Sequence, residues 1–380
     1  MTLVPLLILA VSPILIDGSF EDWSEGQTES SDEYYLYRRV TSEEERCLQQ
    51  LPDQYLMQLG DYDIVFSPKG KGYGVTCFSD GKEISPYDVG LVFSPTTSST
   101  SFEVRINKAT LAPSKLFTLT PQSKDTIRVV SWNVQFGQLL DQKDRGTRIL
   151  QALKPDILLL QELDGDDTPE LLGEFLQSSL GGSWHVYMSE GNGTERHHQL
   201  RSAIATKFKS IELTDVITPN KTVIANIEVQ NKIIMFTSLH LRCCGGPNSE
   251  ADQQRREEAT VIRKAIDSIK SDGFVIAGDW NLVGTKKPLL TVQGNDFVTL
   301  EAFQPDGLLN ATWSDVSSPF TPGRLDWMLV SKDAFTIERG FILDTSDLHS
   351  ETLATNHLLS DDTAILSDHL PLVADLRIAR

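Results

Sequence analysis

Short apolar runs in the second half of this chain stand beside short polar strings, and this pairing constrains the fold more than any other feature. Near the C-terminus the string is Ser367-Asp368-His369-Leu370-Pro371. Short apolar runs bounded by polar residues are typical of buried strands, so each polar group is predicted at or near a strand end. Five upstream strings share this context: Ser131-Trp132-Asn133, Gln161-Glu162, Leu239-His240, Gly278-Asp279-Trp280-Asn281 and Arg324-Leu325-Asp326. Together, on one edge of a sheet sandwich, they would form a site.

Taken in this order, the strings resemble the endonuclease/exonuclease/phosphatase superfamily. That superfamily includes pancreatic-type deoxyribonucleases, abasic-site endonucleases, inositol-phosphate phosphatases and secreted sphingomyelinases. The resemblance runs from Thr126 to Arg380. It implies an α/β (α+β) fold, in which two packed mixed sheets and flanking helices form a four-layer sandwich. The strand-like runs alternate with helical stretches at Thr147 to Leu153 and Ala251 to Ser268, as that fold requires.

The resemblance implies a cation site for phosphoester hydrolysis, a reaction that needs positive charge beside the phosphoryl oxygens. It assigns Glu162 as the main ligand of Mg²⁺, with Mn²⁺ or Ca²⁺ as alternatives, because carboxylate oxygens suit hard cations. Asn133 and Asp368 would complete the ligand set, and Asn133 would also donate to a phosphate oxygen. Viewed alone, a Glu after a strand is a solvated acid and a lone Asn is a turn residue.

Five further residues are predicted to carry the reaction. His369 would take a proton from water, because imidazole titrates near neutral pH, and Asp326 would fix its tautomer. Asp279 would orient the attacking water. Asn281, two residues later on an extended segment, would face the same side and stabilise the transition state while binding substrate. His240 resembles the second histidine of the deoxyribonuclease and sphingomyelinase branches, where that residue contacts phosphate or protonates the leaving oxygen.

The chain is long enough for two domains. We expect a signal segment at residues 1–16, an all-β sandwich at 17–119, a Pro- and Ser-containing linker at 120–125 and the phosphoesterase-like domain at 126–380. The apolar stretch from Leu3 to Ile16 is too short to cross a membrane. An alternative is that Ile14, Leu15 and Ile16 form the first strand of the mature domain. A signal segment predicts a secreted, periplasmic or extracellular protein.

The N-terminal region contains Ile16-Asp17-Gly18-Ser19-Phe20-Glu21-Asp22-Trp23 and Phe102-Glu103-Val104-Arg105-Ile106. These strings resemble family-9 carbohydrate-binding, DOMON-like sandwiches. That resemblance implies a glycan partner, for which exposed aromatic rings would stack on the sugar. The available rings are Trp23, Tyr34, Tyr35 and Tyr37, and the alternative that we favour is that they fill the sandwich core.

The formal net charge of −19 weakens nonspecific attraction to polyphosphates, although a local cluster with a cation can still hold one phosphate. We expect a monomeric, metal-dependent phosphodiesterase of nuclease-like type, with nucleic acid or a phospholipid headgroup as substrate. Alternatives are a sphingomyelinase-like enzyme, an inositol-phosphate-type phosphatase, or a catalytically inactive surface protein that binds glycans. The presence of all eight site residues argues against inactivity.

The four cysteines, Cys47, Cys77, Cys243 and Cys244, suit either one or two disulfides or reduced thiols. Cys47 and Cys77 could cross-link the N-terminal domain. The adjacent pair after His240 could form a vicinal disulfide in a structural loop.

Overall fold

The computed structural model describes residues 13–51, 54–69, 72–110, 112–121, 123, 125–190, 200–214 and 221–379. Most of the predicted signal segment, residues 1–12, and the linker residues Gln122 and Lys124 lie outside this described part. The described chain contains two short 3-10 helices, Leu48–Gln50 and Thr345–Asp347, and seven α-helices: α1 Gln138–Asp141, α2 Lys143–Leu153, α3 Pro169–Leu180, α4 Glu250–Ser268, α5 Lys287–Gln293, α6 Ser350–Asn356 and α7 Asp362–Leu366.

Strands make up the remainder of the regular structure. Eight belong to the N-terminal region: β1 Glu29–Ser31, β2 Tyr35–Arg46, β3 Tyr55–Leu59, β4 Tyr62–Lys69, β5 Gly72–Ser79, β6 Lys82–Ile84, β7 Val92–Ser94 and β8 Ser99–Asn107. Twelve follow it: β9 Ile127–Asn133, β10 Ile157–Leu163, β11 His185–Met188, β12 Arg201–Thr206, β13 Ser210–Thr214, β14 Val223–Val229, β15 Lys232–His240, β16 Gly273–Asp279, β17 Phe297–Thr299, β18 Asp326–Ser331, β19 Phe335–Ile342 and β20 Leu372–Ile378.

The C-terminal part is a four-layer sandwich, as predicted. One six-stranded sheet has the order β11-β12-β10-β9-β20-β19, and the other has the order β13-β14-β15-β16-β18-β17. Buried side chains from both sheets, including Val129, Phe236 and Met328, form one apolar cluster between them. Helices α2 and α3 pack on the outer face of the first sheet, and α4 and α5 pack on the second. Each sheet is therefore covered on both faces.

Strand direction brings the polar strings to one edge of the sandwich. Strands β9 and β10 are parallel, and their pairing places Asn133 opposite Gln161. Strands β15 and β16 are also parallel, and place His240 opposite Asp279. Strand β18 is antiparallel to β16, so that Asp326, its first residue, lies beside Asp279, the last residue of β16. The carboxyl ends of parallel strands thus meet the amino end of an antiparallel strand.

The N-terminal region is β-rich, as predicted. Its two four-stranded sheets have the orders β1-β2-β8-β7 and β3-β4-β5-β6, and every strand pairing in them is antiparallel. Side chains from both sheets, such as Phe66, Phe93 and Phe102, share one apolar cluster. Resemblance to a carbohydrate-binding module stays a prediction.

A separate apolar cluster joins the two parts of the chain. Trp23, Tyr35 and Tyr37 are buried in it against Leu308 and Leu309, which belong to the long connection between β17 and β18. These three rings are consequently not available to stack on a sugar. They are buried, but in this cluster rather than in the core of the sandwich, and Tyr34 is only partly buried.

The same cluster buries the first described residues of the chain. Ile14 and Ile16 are buried in it, and the backbone N–H of Ile16 donates to Leu308 O at 2.7 Å. Residues 14–16 thus belong to the folded unit, but they do not form the strand given as the alternative, because Ile16 makes only an isolated bridge to Leu309. A removable segment would have to end before Ile14 rather than at Ile16.

The cysteines are free thiols in this structure. Cys47 and Cys77 are buried and unlinked, so the predicted cross-link between them is wrong. Cys47 Sγ instead lies 3.5 Å from both Thr96 O and Val283 O. Cys243 and Cys244 are exposed, with their sulfur atoms 2.9 Å apart, and they too are unlinked. Among the described helices, none has the length and apolar content to cross a bilayer.

Removing the N-terminal region should destabilise the C-terminal part, because Leu308 and Leu309 would lose their apolar partners. Exposing two leucines costs about 3–6 kcal/mol, which for a domain of this size corresponds to a decrease in melting temperature of roughly 10 °C or more. Thermal unfolding of a chain starting at Asp125 would be compared with that of a chain starting at Pro13. Equal melting temperatures would show that the two parts are thermodynamically independent.

Candidate functional site

The predicted site residues lie at one edge of the C-terminal sandwich. Glu162, Asp279, Asn281, Asp368 and His369 line a single cavity of about 530 Å³. The other three, Asn133, His240 and Asp326, lie within hydrogen-bond or ion-pair distance of members of this group. The structure therefore brings all eight predicted residues together.

Asp279 lies at the centre of the group. Its Oδ2 atom accepts a hydrogen bond from Asn133 Nδ2 at 3.1 Å and from Asn281 Nδ2 at 2.9 Å. The same oxygen lies 3.5 Å from His240 Nε2 and 3.7 Å from His369 Nε2. The carboxylate is almost completely buried. Two amides and two imidazoles thus surround one oxygen atom.

His369 and Asp326 form the predicted pair. His369 Nδ1 lies 2.8 Å from Asp326 Oδ2, and both side chains are buried. A carboxylate at this distance holds the Nδ1 proton and leaves Nε2 directed at the cavity. The backbone of His369 is fixed as well, since Ser367 Oγ accepts its N–H at 3.0 Å and its carbonyl accepts Trp132 Nε1–H at 3.0 Å.

Asn281 occupies the predicted place but makes different contacts from those expected. Its Nδ2 group donates to Leu241 O at 3.2 Å as well as to Asp279 Oδ2. Both amide hydrogens are therefore engaged within the protein. Its backbone N–H also donates to Asp279 Oδ1 at 2.9 Å. In this conformation Asn281 positions Asp279 rather than offering a donor to a substrate.

Glu162 reaches the cavity through a local irregularity in β10. Its backbone has φ +57°, and the register of β10 against β12 shifts between Leu160 and Leu163. A bulge of this kind redirects one side chain out of the alternating pattern of a strand. A non-glycine residue in the left-handed region is strained, and such strain is concentrated at functional sites. Strand periodicity alone gives no sign of this bulge.

Burial strongly affects the titrating groups. It raises the pKa of Glu162 and raises the pKa of Asp279 to about 7. Burial lowers the pKa of His240 well below its ordinary value. For His369 burial acts in the same downward direction, but the carboxylates of Asp326 and Asp279 outweigh it and raise the pKa to about 10. The site is thus rich in carboxylates that favour a nearby positive charge.

The donor set fits a hard divalent cation. Ligand atoms of Glu162, His240 and Asp279 lie within 4.8 Å of one another, and those of Asp279, Asp326 and His369 do the same. The second oxygen of Asp326 is buried and has no hydrogen-bond partner among the described residues. Clustered carboxylates of this kind are the oxygen-rich surroundings that Mg²⁺ and Mn²⁺ prefer.

Asp368 lies in the same cavity but belongs to neither of these two groups. Its Oδ2 atom accepts the Trp313 Nε1–H at 2.9 Å, and its backbone N–H donates to Gln135 Oε1 at 3.3 Å. Its role as a cation ligand stays a prediction. Trp313 was missed from the sequence, since it stands in the irregular connection before β18 and belongs to none of the quoted strings.

Thr312 is a second residue that sequence reasoning missed. Its side chain is fully buried, and its Oγ1 accepts backbone N–H groups from Leu325 at 3.0 Å and from Asp326 at 2.9 Å. Its carbonyl accepts the N–H of Leu370 at 2.7 Å. Thr312 therefore connects the two segments that carry the paired Asp326 and His369.

Side chains of the N-terminal region also make hydrogen bonds to backbone segments that flank the site. Thr96 Oγ1 accepts the backbone N–H of Arg324 at 2.8 Å, immediately before β18. Gln50 Nε2 donates to Val283 O at 2.8 Å, just after the end of β16. Because these contacts join residues more than 200 positions apart in sequence, no local pattern could indicate them.

Gly278 occupies a position in β16 that admits no side chain. Its φ is +151°, and a Cβ built on it would lie 1.9 Å from Leu239 O. No side chain fits there while β15 and β16 remain paired. The glycine thus allows the close approach that places His240 beside Asp279.

Replacing Thr312 with Val should lower the free energy of unfolding by about 2–4 kcal/mol, because two buried N–H groups would lose their acceptor. Thr237→Val is the matched control: Thr237 is equally buried, and its Oγ1 has no hydrogen-bond partner among the described residues. That substitution should cost less than about 1 kcal/mol. Urea unfolding of both variants tests this, and equal losses would contradict the role given to Thr312.

Several solved structures are similar in fold to this chain. Similar solved structures include a humanized TDP2 from D. rerio (17% identity, 67% of this chain and 99% of that chain covered, TM-score 0.48). The human Nocturnin catalytic domain has 18% identity, with 68% and 96% covered and a TM-score of 0.49. A mannosyl-6-phosphatase from Bacteroides thetaiotaomicron has 17% identity, with 66% and 99% covered and a TM-score of 0.47.

A comparison with curated protein sequences gives no significant match. The model of the Endonuclease/Exonuclease/phosphatase family matches residues 130–369, which is more than half of the chain and includes all eight predicted site residues. The family consists of phosphoester hydrolases with metal-dependent chemistry, and this chain belongs to it.

Proposed function

We propose that this protein is a divalent-cation-dependent phosphodiesterase in which the pair of His369 and Asp326 activates water. The observation that carries the proposal is the 2.8 Å contact of His369 Nδ1 with Asp326 Oδ2, made beside the buried carboxylate of Asp279. A base, a residue that orients it and a group that orients water are the parts that hydrolysis requires.

In this proposal His369 Nε2 takes a proton from the attacking water. Asp326 holds the imidazole orientation and stabilises the positive charge that the ring gains. Asp279 accepts the second hydrogen of the water and so aligns it. Asn133 and Asn281 are positioning residues, because their amides hold Asp279 in place.

His240 has a separate role in the proposed reaction. Burial keeps its imidazole neutral, and its Nε2 lies between Glu162 Oε1 at 3.6 Å and Asp279 Oδ2 at 3.5 Å. A neutral ring that bears its proton on Nε2 can donate one hydrogen bond to a phosphoryl oxygen. We assign it to phosphate binding, in agreement with the branch that the sequence resembles.

The proposed cation is Mg²⁺, with Mn²⁺ or Ca²⁺ as alternatives. Glu162 would be its main ligand, and Asn133 and Asp368 would complete the set. When bound, the cation would supply positive charge to the phosphoryl oxygens and, by opposing the nearby carboxylates, favour the neutral form of His369. Secretion is also part of the proposal and rests on the part of the apolar stretch that runs from Leu3 to Pro13, before the buried Ile14.

Glu162→Gln should lower the affinity of the proposed site for its cation while preserving the shape of the side chain. The concentration of Mg²⁺ needed for half-maximal hydrolysis of bis(4-nitrophenyl) phosphate should increase about tenfold or more, because a charged oxygen ligand is replaced by a neutral one. Glu170→Gln, at the exposed start of α3, is the control and should leave the titration unchanged. An unaltered Mg²⁺ titration in Glu162→Gln would remove this residue from the cation site.

His369→Ala should reduce kcat by about 10² to 10⁴, the usual contribution of a general base. Asp326→Asn should also lower kcat strongly, since the imidazole would remain but lose its orientation. The double variant should be little slower than His369→Ala alone, because the two residues act as one unit. Steady-state kinetics on the same diester tests this, and fully additive losses would mean that the residues work separately.

A further inference from the structure

The cavity beside the site is built by both parts of the chain. Its floor is the group formed by Glu162, Asp279, Asn281, Asp368 and His369. One wall comes from the N-terminal region, and a second wall comes from the connection between β17 and β18. The residues of the first wall are Cys47, Gln49, Gln50 and Thr96, and those of the second are Trp313, Ser318, Phe320, Thr321, Gly323 and Leu325.

The N-terminal wall is fixed in place by hydrogen bonds. Gln49 Oε1 accepts the backbone N–H of Thr321 at 2.8 Å, and Tyr87 Oη donates to Phe320 O at 3.1 Å. With the bond that Thr96 Oγ1 accepts from the backbone N–H of Arg324, these contacts hold the second wall against the N-terminal region. The cavity is therefore a preformed chamber, and its volume of about 530 Å³ suits a small molecule.

Apolar side chains line much of the cavity. Phe320, Leu325 and Trp313 belong to the second wall, and Val283 and Phe136, the latter 39% exposed, line the same cavity. Aromatic and aliphatic side chains around a few polar groups are typical of sites that bind a small organic group. Such a surface offers no positive charge to a chain of phosphates.

The distribution of basic side chains around the cavity also disfavours nucleic acid as the substrate. Within the described part of the chain, no Lys or Arg side chain lines it. Two buried arginines nearby are engaged elsewhere: Arg324 stacks 3.8 Å from the centre of the Trp327 ring and donates to Leu300 O. Arg255 donates to the carbonyls of Arg242, Cys244 and Gly245. Lys221 and Arg242 lie close enough to act on the charges of Glu162 and Cys243, but neither lines the cavity. Nucleic-acid binding relies on cations that contact several successive phosphates, and no such row of cations lines this cavity among the described residues.

We propose that the shared chamber is a substrate subsite that selects small phosphodiesters with one compact apolar group, of about the size of an aromatic ring, over nucleic acid. This inference rests on the proposed phosphodiesterase function and narrows its substrate class. The phosphoryl group lies at the carboxylate floor, and the apolar group packs against Phe320 and the N-terminal wall.

The test compares two diesters that release the same 4-nitrophenolate, phenyl 4-nitrophenyl phosphate and methyl 4-nitrophenyl phosphate, together with linear duplex DNA. The full chain with Mg²⁺ should show a KM for the phenyl ester roughly tenfold or more below that for the methyl ester, because burial of a ring is favourable. The kcat values, which depend on the shared leaving group, should differ less. Duplex DNA should be cleaved with a much lower kcat/KM than the phenyl ester.

Single substitutions test which residues cause the preference for the phenyl ester. Phe320→Ala and Gln50→Ala, one from each wall, should each remove most of the difference between the two KM values. Val316→Ala is the matched control, because Val316 lies in the same connection, is 76% exposed and does not line the cavity. It should retain the full preference. Binding of phenylphosphonate and methylphosphonate to the wild-type protein, measured by calorimetry, gives the same comparison without turnover or variants.

The outcomes separate this inference from the proposed function. Hydrolysis of both esters with equal KM values, or more efficient cleavage of duplex DNA, would overturn the subsite while leaving the phosphodiesterase function in place. Equal affinity for the two phosphonates would overturn it as well. If neither ester is hydrolysed and neither phosphonate binds, the proposed function itself fails.

Discussion

The carboxylate of Asp279 is buried where the two sheets of the sandwich meet. Asn133 approaches it from one sheet, while His240 and Asn281 approach it from the other sheet and its following loop. A carboxylate that is removed from water is costly unless hydrogen bonds or opposite charge compensate it. Its two amide donors supply part of that compensation, and a divalent cation held at the site would supply opposite charge. Compensation of the Asp279 charge therefore requires the two sheets to keep their relative position.

Much of the site could be predicted because strand ends are visible in a sequence. Apolar runs located β9, β10, β15, β16 and β18. The polar residues beside them lie at the carboxyl ends of the first four strands and at the amino end of β18. By contrast, Glu162 enters the cavity through a bulge, and a change of one backbone dihedral angle leaves no mark on apolar periodicity.

Residues in irregular segments could not be predicted in this way. Thr312 and Trp313 act through contacts with β18 and with the segment before β20, and the long connection that carries them has no periodicity. The individual role of Asn281 was also beyond the sequence, because spacing places its side chain but does not show which acceptors engage its amide hydrogens. The N-terminal wall of the cavity is an extreme case, formed by residues far away along the chain.

The apolar cluster that joins Trp23, Tyr35 and Tyr37 to Leu308 and Leu309 has a consequence for how such a chain can evolve. Domains that meet through few contacts can be exchanged by recombination, since each keeps its own stability. Here a recombined C-terminal half would carry an uncovered apolar surface and an incomplete cavity. The two halves are expected to be inherited as one unit, with changes in Trp23 or Tyr37 matched by changes around Leu309.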